Sequence, residues 1–211
     1  MTIRVGIGGW SYEPWDESFY PADLPKAKQL EYASSTVTAI EINATFYRTQ
    51  SASSFKKWAA ATPDDFMFSV KAPRAAVQRK DLREAEQSIT WFFESGVGEL
   101  GSKLGPIFWQ MAPYKKFDAD EINAYFDMLP TKLGKLKLRH AIEVRHASFD
   151  CDEFKTIARE RNIAVVTVES EKHPLIVEPT ALLDARIEND TVVADRPLLA
   201  MALPEDEAAA I

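Results

Sequence analysis

The chain is poor in cysteine and in long apolar runs. Among its 211 residues there is one cysteine, Cys151, which excludes an intramolecular disulfide and a cysteine-based zinc cluster. No apolar run approaches the roughly 20 residues of a membrane span. The first residues, MTIRVGIGGW, lack the basic region and apolar core of a signal peptide. We therefore expect a protein of the reducing cytoplasm with no membrane partner.

Excess positive charge and a glycine-rich phosphate loop are also missing. Lys and Arg number 25 against 32 Asp and Glu, so the formal net charge is -7. This balance argues against a general nucleic-acid coat protein, which needs clustered excess cations, although a local basic patch stays possible. Gly6, Gly8 and Gly9 lead into WSYEPW rather than into a phosphate-cradling turn. That sequence disfavours the open, doubly wound dinucleotide-binding fold.

Six short apolar runs, rich in Val, Ile and Phe, alternate with amphipathic segments. The runs begin at Ile3, Val37, Phe66, Pro106, His140 and Ile163. Such runs are typical of buried parallel strands, and the segments between them carry apolar residues at helical spacing. This alternation predicts a single α/β domain over residues 1–211, a TIM-type (β/α) barrel with its helices outside. Polar residues on one strand face favour a barrel over an open sheet, because both faces of an open sheet meet helices.

The predicted barrel is expected to be incomplete at its C-terminus. The strand starts are about 32 residues apart on average, and eight such units would need about 250 residues. The chain therefore has room for six to seven units. An incomplete barrel leaves a strand edge open between its first and last strands, and three consequences stay open: marginal stability, self-association through that edge, or loss of activity.

Polar side chains recur on one face of the predicted strands. Residues two apart on a strand share a face, so Glu41 and Asn43 point opposite to Ile40 and Ile42. The same alternation in the other strands predicts one polar set near the C-terminal strand ends, where the active sites of barrel enzymes lie. This set comprises Glu41, Asn43, Lys71, Gln110, Glu143 and Arg145.

Two interpretations of this polar set stay open. In the functional one, Lys71 and Arg145 anchor a phosphate-bearing or other anionic ligand, Asn43 and Gln110 contact it, and Glu143 or Glu41 acts as acid or base. In the structural one, the charges offset one another in a buried ion network without chemistry. His146 follows Arg145 at the end of its strand, and it is either a ligand-contacting imidazole or a hydrogen-bonded structural histidine.

Aromatic side chains after the first two strands suggest a second function. Trp10, Tyr12, Trp15 and Tyr47 could stack on a sugar or a base, or they could simply plug the barrel. With the cations of the loops after strands three and four, they would suit a nucleic-acid-binding barrel. These cations are Arg74, Arg79, Lys80, Lys115 and Lys116.

A metal site is not predicted. Glu41, Glu143, His146 and Glu169 have the right ligand types, but no tightly spaced histidine pair supports them. The sequence identifies no cofactor.

Five stretches together resemble the YecE-like proteins, a family of barrel proteins of unknown function. They are VGIGGWSYEPW with FYP downstream, AIEINATFYR, FMFSVKAPR, LGSKLGPIFWQMAP and HAIEVRHASF. The resemblance covers residues 3–180 and implies a TIM-type barrel without an established reaction. Residues 181–211 depart from the family pattern, which would continue through further strands and helices. A truncated or frame-altered product is the leading interpretation of this tail.

Overall fold

The structure is a computed structural model that describes residues 3–16, 18–168, 172–176 and 180, and the backbone of three strands within residues 185–202. The strands are β1 (Ile3–Gly8), β2 (Ala39–Ile42), β3 (Met67–Lys71), β4 (Leu104–Gln110), β5 (Lys132–Leu133), β6 (Leu136–Lys137), β7 (His140–Glu143), β8 (Ala164–Val165), β9 (Ala185–Glu188), β10 (Thr191–Ala194) and β11 (Leu198–Ala202). The helices are α1 (Gln29–Thr36), α2 (Ala44–Tyr47), α3 (Ala52–Ala60), α4 (Arg74–Val77), α5 (Glu86–Glu94), α6 (Ala119–Asp127) and α7 (Asp152–Glu160). None of these helices is long and apolar enough to cross a bilayer.

One parallel sheet organises the fold. Its strand order is β11-β1-β2-β3-β4-β7-β8, and six of its strands are the six that the apolar runs predict. These six follow chain order and curl into part of a barrel, which confirms an α/β fold on a parallel sheet. The short antiparallel pairs β5–β6 and β9–β10 were not predicted.

The sequence analysis predicts an open strand edge, but the structure covers the sheet beside its first strand and adds a contact beside its last. On one side β11 pairs in parallel with β1, from Ile3 opposite Leu198 to Ile7 opposite Ala202. On the other side the amide of Val165 donates to Thr180 Oγ1 at 2.8 Å, and that hydroxyl donates to Ile163 O at 2.8 Å. Self-association through an open edge stays a prediction, and the edge that it would need is not the one beside β1.

The apolar strand faces pack under the helices as predicted. Trp109 of β4 is fully buried, and its ring meets Phe92 of α5 at 6.3 Å and Tyr125 of α6 at 6.0 Å between centroids. Trp109 Nε1 donates to Nδ1 of His140 at 3.0 Å, and His140 Nε2 lies 2.8 Å from Pro130 O. Since Nδ1 accepts, the ring is held as the neutral Nε2–H tautomer. Burial lowers the pKa of His140 accordingly.

Candidate functional site

The predicted polar set lies on the strand face opposite the helices, at the C-terminal ends of β2, β3, β4 and β7. We call it the strand-end cluster. It comprises Glu41, Asn43, Lys71, Gln110, Glu143 and Arg145. Glu41, Lys71 and Glu143 are each no more than 3 % exposed. Parallel register explains the convergence, because Gln110 lies opposite Glu143 in the ladder and residues in register point the same way.

Glu143 is the centre of a hydrogen-bonded ion pair in the strand-end cluster. Its Oε2 accepts from Gln110 Nε2 at 3.0 Å, and its Oε1 accepts from Arg145 Nε at 2.5 Å. Arg145 keeps a quarter of its side chain exposed, whereas Glu143 is buried. A buried carboxylate needs such partners, since an unpaired one would cost several kcal/mol. Both oxygens of Glu143 are therefore engaged within the fold.

Lys71 lies among aromatic rings. Its Nζ is 5.2 Å from the centroid of Phe46 and 5.9 Å from that of Phe108, within the range of cation–π attraction. Thr45 Oγ1 lies 2.7 Å from Lys71 O and 2.9 Å from Ile42 O, so it ties α2 to the end of β3. These contacts hold a positive charge in a largely buried position on the concave face.

Phe46, Thr45 and Phe108 were missed by the sequence analysis. Alternation could have found Phe108, because it lies two residues before Gln110 and shares its face. No comparable signal exists for Thr45 and Phe46, which belong to the helical turn α2 after β2. Their directions depend on that turn and not on the strand period.

Asn43 differs from the rest of the strand-end cluster in its hydrogen bonding. Its Nδ2 and Oδ1 are both shielded from solvent, and neither has a hydrogen-bond partner within the described residues. Asn43 directly follows Ile42, which pairs with Val70, so it lies beside Lys71 at the strand ends. A shielded amide without partners costs about 1–3 kcal/mol, which a bound group would recover.

Three of the four predicted stacking aromatics pack against other parts of the fold. Trp10 meets Trp58 of α3 edge-on, with 5.4 Å between centroids. The ring centroids of Tyr12 and Trp15 are 4.7 Å apart, and the Tyr12 hydroxyl donates to Gly8 O. Tyr47 is 63 % exposed, and its ring meets that of Phe46, which lies against Lys71.

His146 caps a turn after β7. Its Nδ1 lies 2.9 Å from Ser148 Oγ and accepts from Ser148 N at 3.1 Å, while Ser148 Oγ accepts from Phe117 N at 2.8 Å. These contacts fit the structural interpretation of His146, and its contact with a ligand stays a prediction. In the parts of the chain that the structure describes, no three His, Cys, Asp or Glu side chains are grouped to hold a metal ion. Glu169 lies outside the described residues.

Comparison with known proteins supports the resemblance inferred from the five stretches. The family model described as "Protein of unknown function DUF72" matches residues 4–194, and the YecE-like proteins are the same family. The match extends past residue 180, where the sequence analysis placed the end of the family-like region. A curated relative, UPF0759 protein YunF of Bacillus subtilis, is 29% identical over an alignment of 204 residues that covers 90% of this chain and 68% of YunF.

Solved structures share the fold. A DUF72 family protein from Thermotoga maritima superposes with a TM-score of 0.70 at 26% identity, over 86% of this chain and 72% of that one. A DUF72 family protein from Enterococcus faecalis gives a TM-score of 0.66 at 20% identity, over 86% and 68% of the two chains. The second likeness bears on the fold alone.

Proposed function

Because the chain belongs to the DUF72 family, whose description assigns no activity, we propose a function from the strand-end cluster itself. The cluster binds a small phosphate-bearing anion. Lys71 and Arg145 supply the positive charge, Asn43 and Gln110 supply amide contacts, and Tyr47 borders the entrance. We propose that the binding site is the face of the sheet that carries this cluster, and that this face forms the mouth of a TIM-type barrel.

The observation that carries this proposal is the Asn43 side-chain amide. A folded chain seldom leaves both a donor and an acceptor of one side chain shielded and without partners. Asn43 directly follows β2, the strand that pairs with β3, and β3 ends in Lys71. A ligand that accepts from Nδ2 and donates to Oδ1 would satisfy both. A phosphate ester that also carries a hydroxyl group has that pair of functions.

The structural alternative explains only part of the strand-end cluster. A buried ion network accounts for Glu143, Arg145 and Gln110, because Glu143 accepts hydrogen bonds from the other two. It gives no reason for the amide of Asn43. The nucleic-acid alternative is supported less, because Trp10 and Trp15 pack against other aromatic rings instead of forming a stacking wall.

The two predicted acid/base residues have different surroundings. Both oxygens of Glu143 accept hydrogen bonds, one of them from Arg145, so this carboxylate fits the task of orienting that guanidinium. Glu41 lies one strand from Lys71 and is 1 % exposed. We assign any proton transfer to Glu41 and the positioning of Arg145 to Glu143.

Two expectations about the fold and the cellular location accompany the proposal. A TIM-type barrel that is incomplete at its C-terminus is inferred from the curl and order of the six strands, and this curl would turn the strand-end cluster into the mouth of the barrel. A reducing cytoplasmic location is inferred from the free thiol of Cys151.

Calorimetric titration with ribose 5-phosphate tests the proposal. Replacing Lys71→Met removes the ammonium but keeps the length of the side chain. Loss of one charge-assisted contact, about 1.5–3 kcal/mol, should weaken binding at least about tenfold. Asn43→Ala changes no charge and should weaken binding about three- to tenfold, since a neutral hydrogen bond contributes about 0.5–1.5 kcal/mol.

Lys135→Met is the matched control, because Lys135 is an exposed lysine in the turn between β5 and β6, which precedes β7. It should bind ribose 5-phosphate as the unaltered protein does. Equal affinity of the Lys71→Met and Asn43→Ala variants with the unaltered protein, with native unfolding transitions, would refute the proposal. So would the absence of binding by the unaltered protein at millimolar ligand and low salt.

A further inference from the structure

A cleft outside the strand-end cluster lies between the loop that follows β3 and the loop that follows β4. It has a volume of about 480 Å³, and three of its lining residues are lysines. Lys80 comes from the first loop, and Lys115 and Lys116 come from the second. Tyr114 and Phe117 complete the lining on the side of the second loop.

The floor of this cleft is fixed by a buried ion pair. Lys115 is 6 % exposed, and its Nζ donates to Glu121 Oε1 at 2.7 Å and to Lys80 O at 2.6 Å. The same carboxylate oxygen accepts from Leu82 N at 2.6 Å. These contacts join both loops to the start of α6. The side chains that rise from the two loops therefore have a defined spacing.

Two carboxylates, Asp118 and Glu121, also line the cleft, and each has a contact within the fold. Glu121 is paired with Lys115, and Asp118 Oδ1 accepts from the amide of Glu121 at 2.8 Å as the N-cap of α6. Asp81, next to Lys80, is held by the guanidinium of Arg83 at 2.8 Å.

By contrast, the ammonium groups of Lys80 and Lys116 have no hydrogen bond or ion pair with any residue that the structure describes, although both line this one cleft. The three lysines of the cleft outnumber its two carboxylates, so its lining has a net positive charge in a chain whose net charge is -7.

An exposed ring accompanies the two lysines. Tyr114 is 64 % exposed, whereas Phe117 packs on Phe149 at 5.5 Å and on Phe154 at 5.9 Å. Phe117 is therefore committed to the core, and Tyr114 is the ring that a ligand can reach. An aromatic face beside two cations matches a ligand with a phosphate group and a flat ring.

We propose that this cleft binds a nucleotide, with its phosphate between the unpaired ammonium groups of Lys80 and Lys116 and its base on the ring of Tyr114. The site is separate from the strand-end cluster, and neither Lys71 nor Asn43 contributes to it. Lys115 is a positioning residue, because its ammonium is already shared between Glu121 and the carbonyl of Lys80. Both sites lie at the C-terminal end of the parallel strands, the cluster at the strand ends and the cleft in the loops that follow β3 and β4.

Equilibrium dialysis of adenosine 5′-monophosphate tests this inference. The titrations use the Lys71→Met background, so that the strand-end cluster does not contribute. The double variant Lys80→Met/Lys116→Met should lower the affinity at least about tenfold at low salt. Tyr114→Leu should lower it about fivefold, because it removes the stacking face. The same Tyr114→Leu change should leave the affinity for ribose 5-phosphate, which has no base, within about twofold.

Lys135→Met in the same background is the control and should leave nucleotide affinity unchanged. Unaltered affinity in the double variant overturns the inference, and so does an absence of nucleotide binding at millimolar concentration in the Lys71→Met background. The two proposals fail separately. If ribose 5-phosphate binding depends on Lys71 but nucleotide binding does not depend on Lys80 and Lys116, the proposal for the strand-end cluster stands and the one for the cleft is refuted. The opposite pair of results refutes the proposal for the cluster and supports the one for the cleft.

Discussion

The helix side of the sheet and the strand-end cluster differ in whether their buried polar groups have hydrogen-bond partners. On the helix side, His140 is buried and both of its ring nitrogens have partners, the indole of Trp109 and the carbonyl of Pro130. At the strand-end cluster, Glu143 is satisfied, but Asn43, which follows β2, has two shielded amide atoms without partners among the described residues. His140 therefore has a partner at each ring nitrogen, whereas the Asn43 amide has none among the described residues.

Tyr125 limits how far this comparison reaches. Its hydroxyl is buried on the helix side and also lacks a hydrogen-bond partner within the described residues. Burial raises the pKa of Tyr125 well above its usual range. The difference between Tyr125 and Asn43 lies in their exposure: Tyr125 is 0 % exposed among aromatic rings, whereas Asn43 is half-buried at the end of β2. An unsatisfied polar atom therefore indicates a binding site only where a ligand can arrive.

The largest expected effect falls on the helix side. Trp109→Ala should reduce the free energy of unfolding by about 3–5 kcal/mol, because it removes a fully buried ring from the contact with α5 and α6. Urea unfolding followed by circular dichroism measures the loss. Trp91→Ala is the matched control, since Trp91 is 60 % exposed and its loss should change stability by no more than about 0.5 kcal/mol. Equal effects of the two changes would contradict the assigned packing.

Breaking the ion pair on the opposite face should cost less. Glu143→Ala removes the acceptor of Gln110 and Arg145, and the expected loss is about 1–3 kcal/mol, because Arg145 can turn part of its guanidinium to solvent. Glu143→Gln keeps one acceptor oxygen and should lose less than Glu143→Ala. Urea unfolding of both variants measures the difference. Stability unchanged in Glu143→Ala would show that the pair does not hold the strand ends together.

His140 should make stability depend on pH. Its folded pKa lies below the unfolded value of about 6.5, so the unfolded chain takes up the proton first. The contribution of the neutral ring is therefore complete above about pH 6.5 and is lost as the pH falls from there toward the folded pKa. Unfolding free energies at pH 7.5 and pH 5.5 should fall more steeply with acid in the unaltered protein than in His140→Gln. Parallel pH profiles would contradict the neutral, buried ring.

The smallest effect is expected for Tyr125→Phe. The substitution removes a buried hydroxyl without a partner and keeps the ring, so it should leave stability unchanged or raise it by up to about 1 kcal/mol. Thermal unfolding measures the change, and ribose 5-phosphate affinity should stay the same. A loss of more than about 1 kcal/mol would show that the hydroxyl has a partner.

The sequence predicts the parts of this molecule that depend on the strand period. Alternation placed Glu41, Lys71 and Glu143 on one face and Ile40 and Ile142 on the other, because successive side chains of a strand must point to opposite sides. In the structure Glu143 is in register with Gln110 and accepts a hydrogen bond from it, whereas Ile40 and Ile142 belong to the hydrophobic core.

Features that depend on turns and distant contacts were not predicted. The position of Phe46 against Lys71 follows from a four-residue helical turn. The capping role of His146 depends on Ser148 in the next turn. The pairing of β11 with β1 joins residues almost the whole chain apart, and no local pattern encodes it.

The most direct measurement for the strand-end cluster is the ¹H–¹⁵N spectrum of the Asn43 side-chain amide, assigned by its absence in Asn43→Ala. Titration with ribose 5-phosphate should shift this signal in a saturable manner, and the shift should be lost in Lys71→Met. A signal that stays in place in the unaltered protein, while the ligand reaches saturation elsewhere, would contradict the proposal that Asn43 and Lys71 together hold a phosphate-bearing ligand.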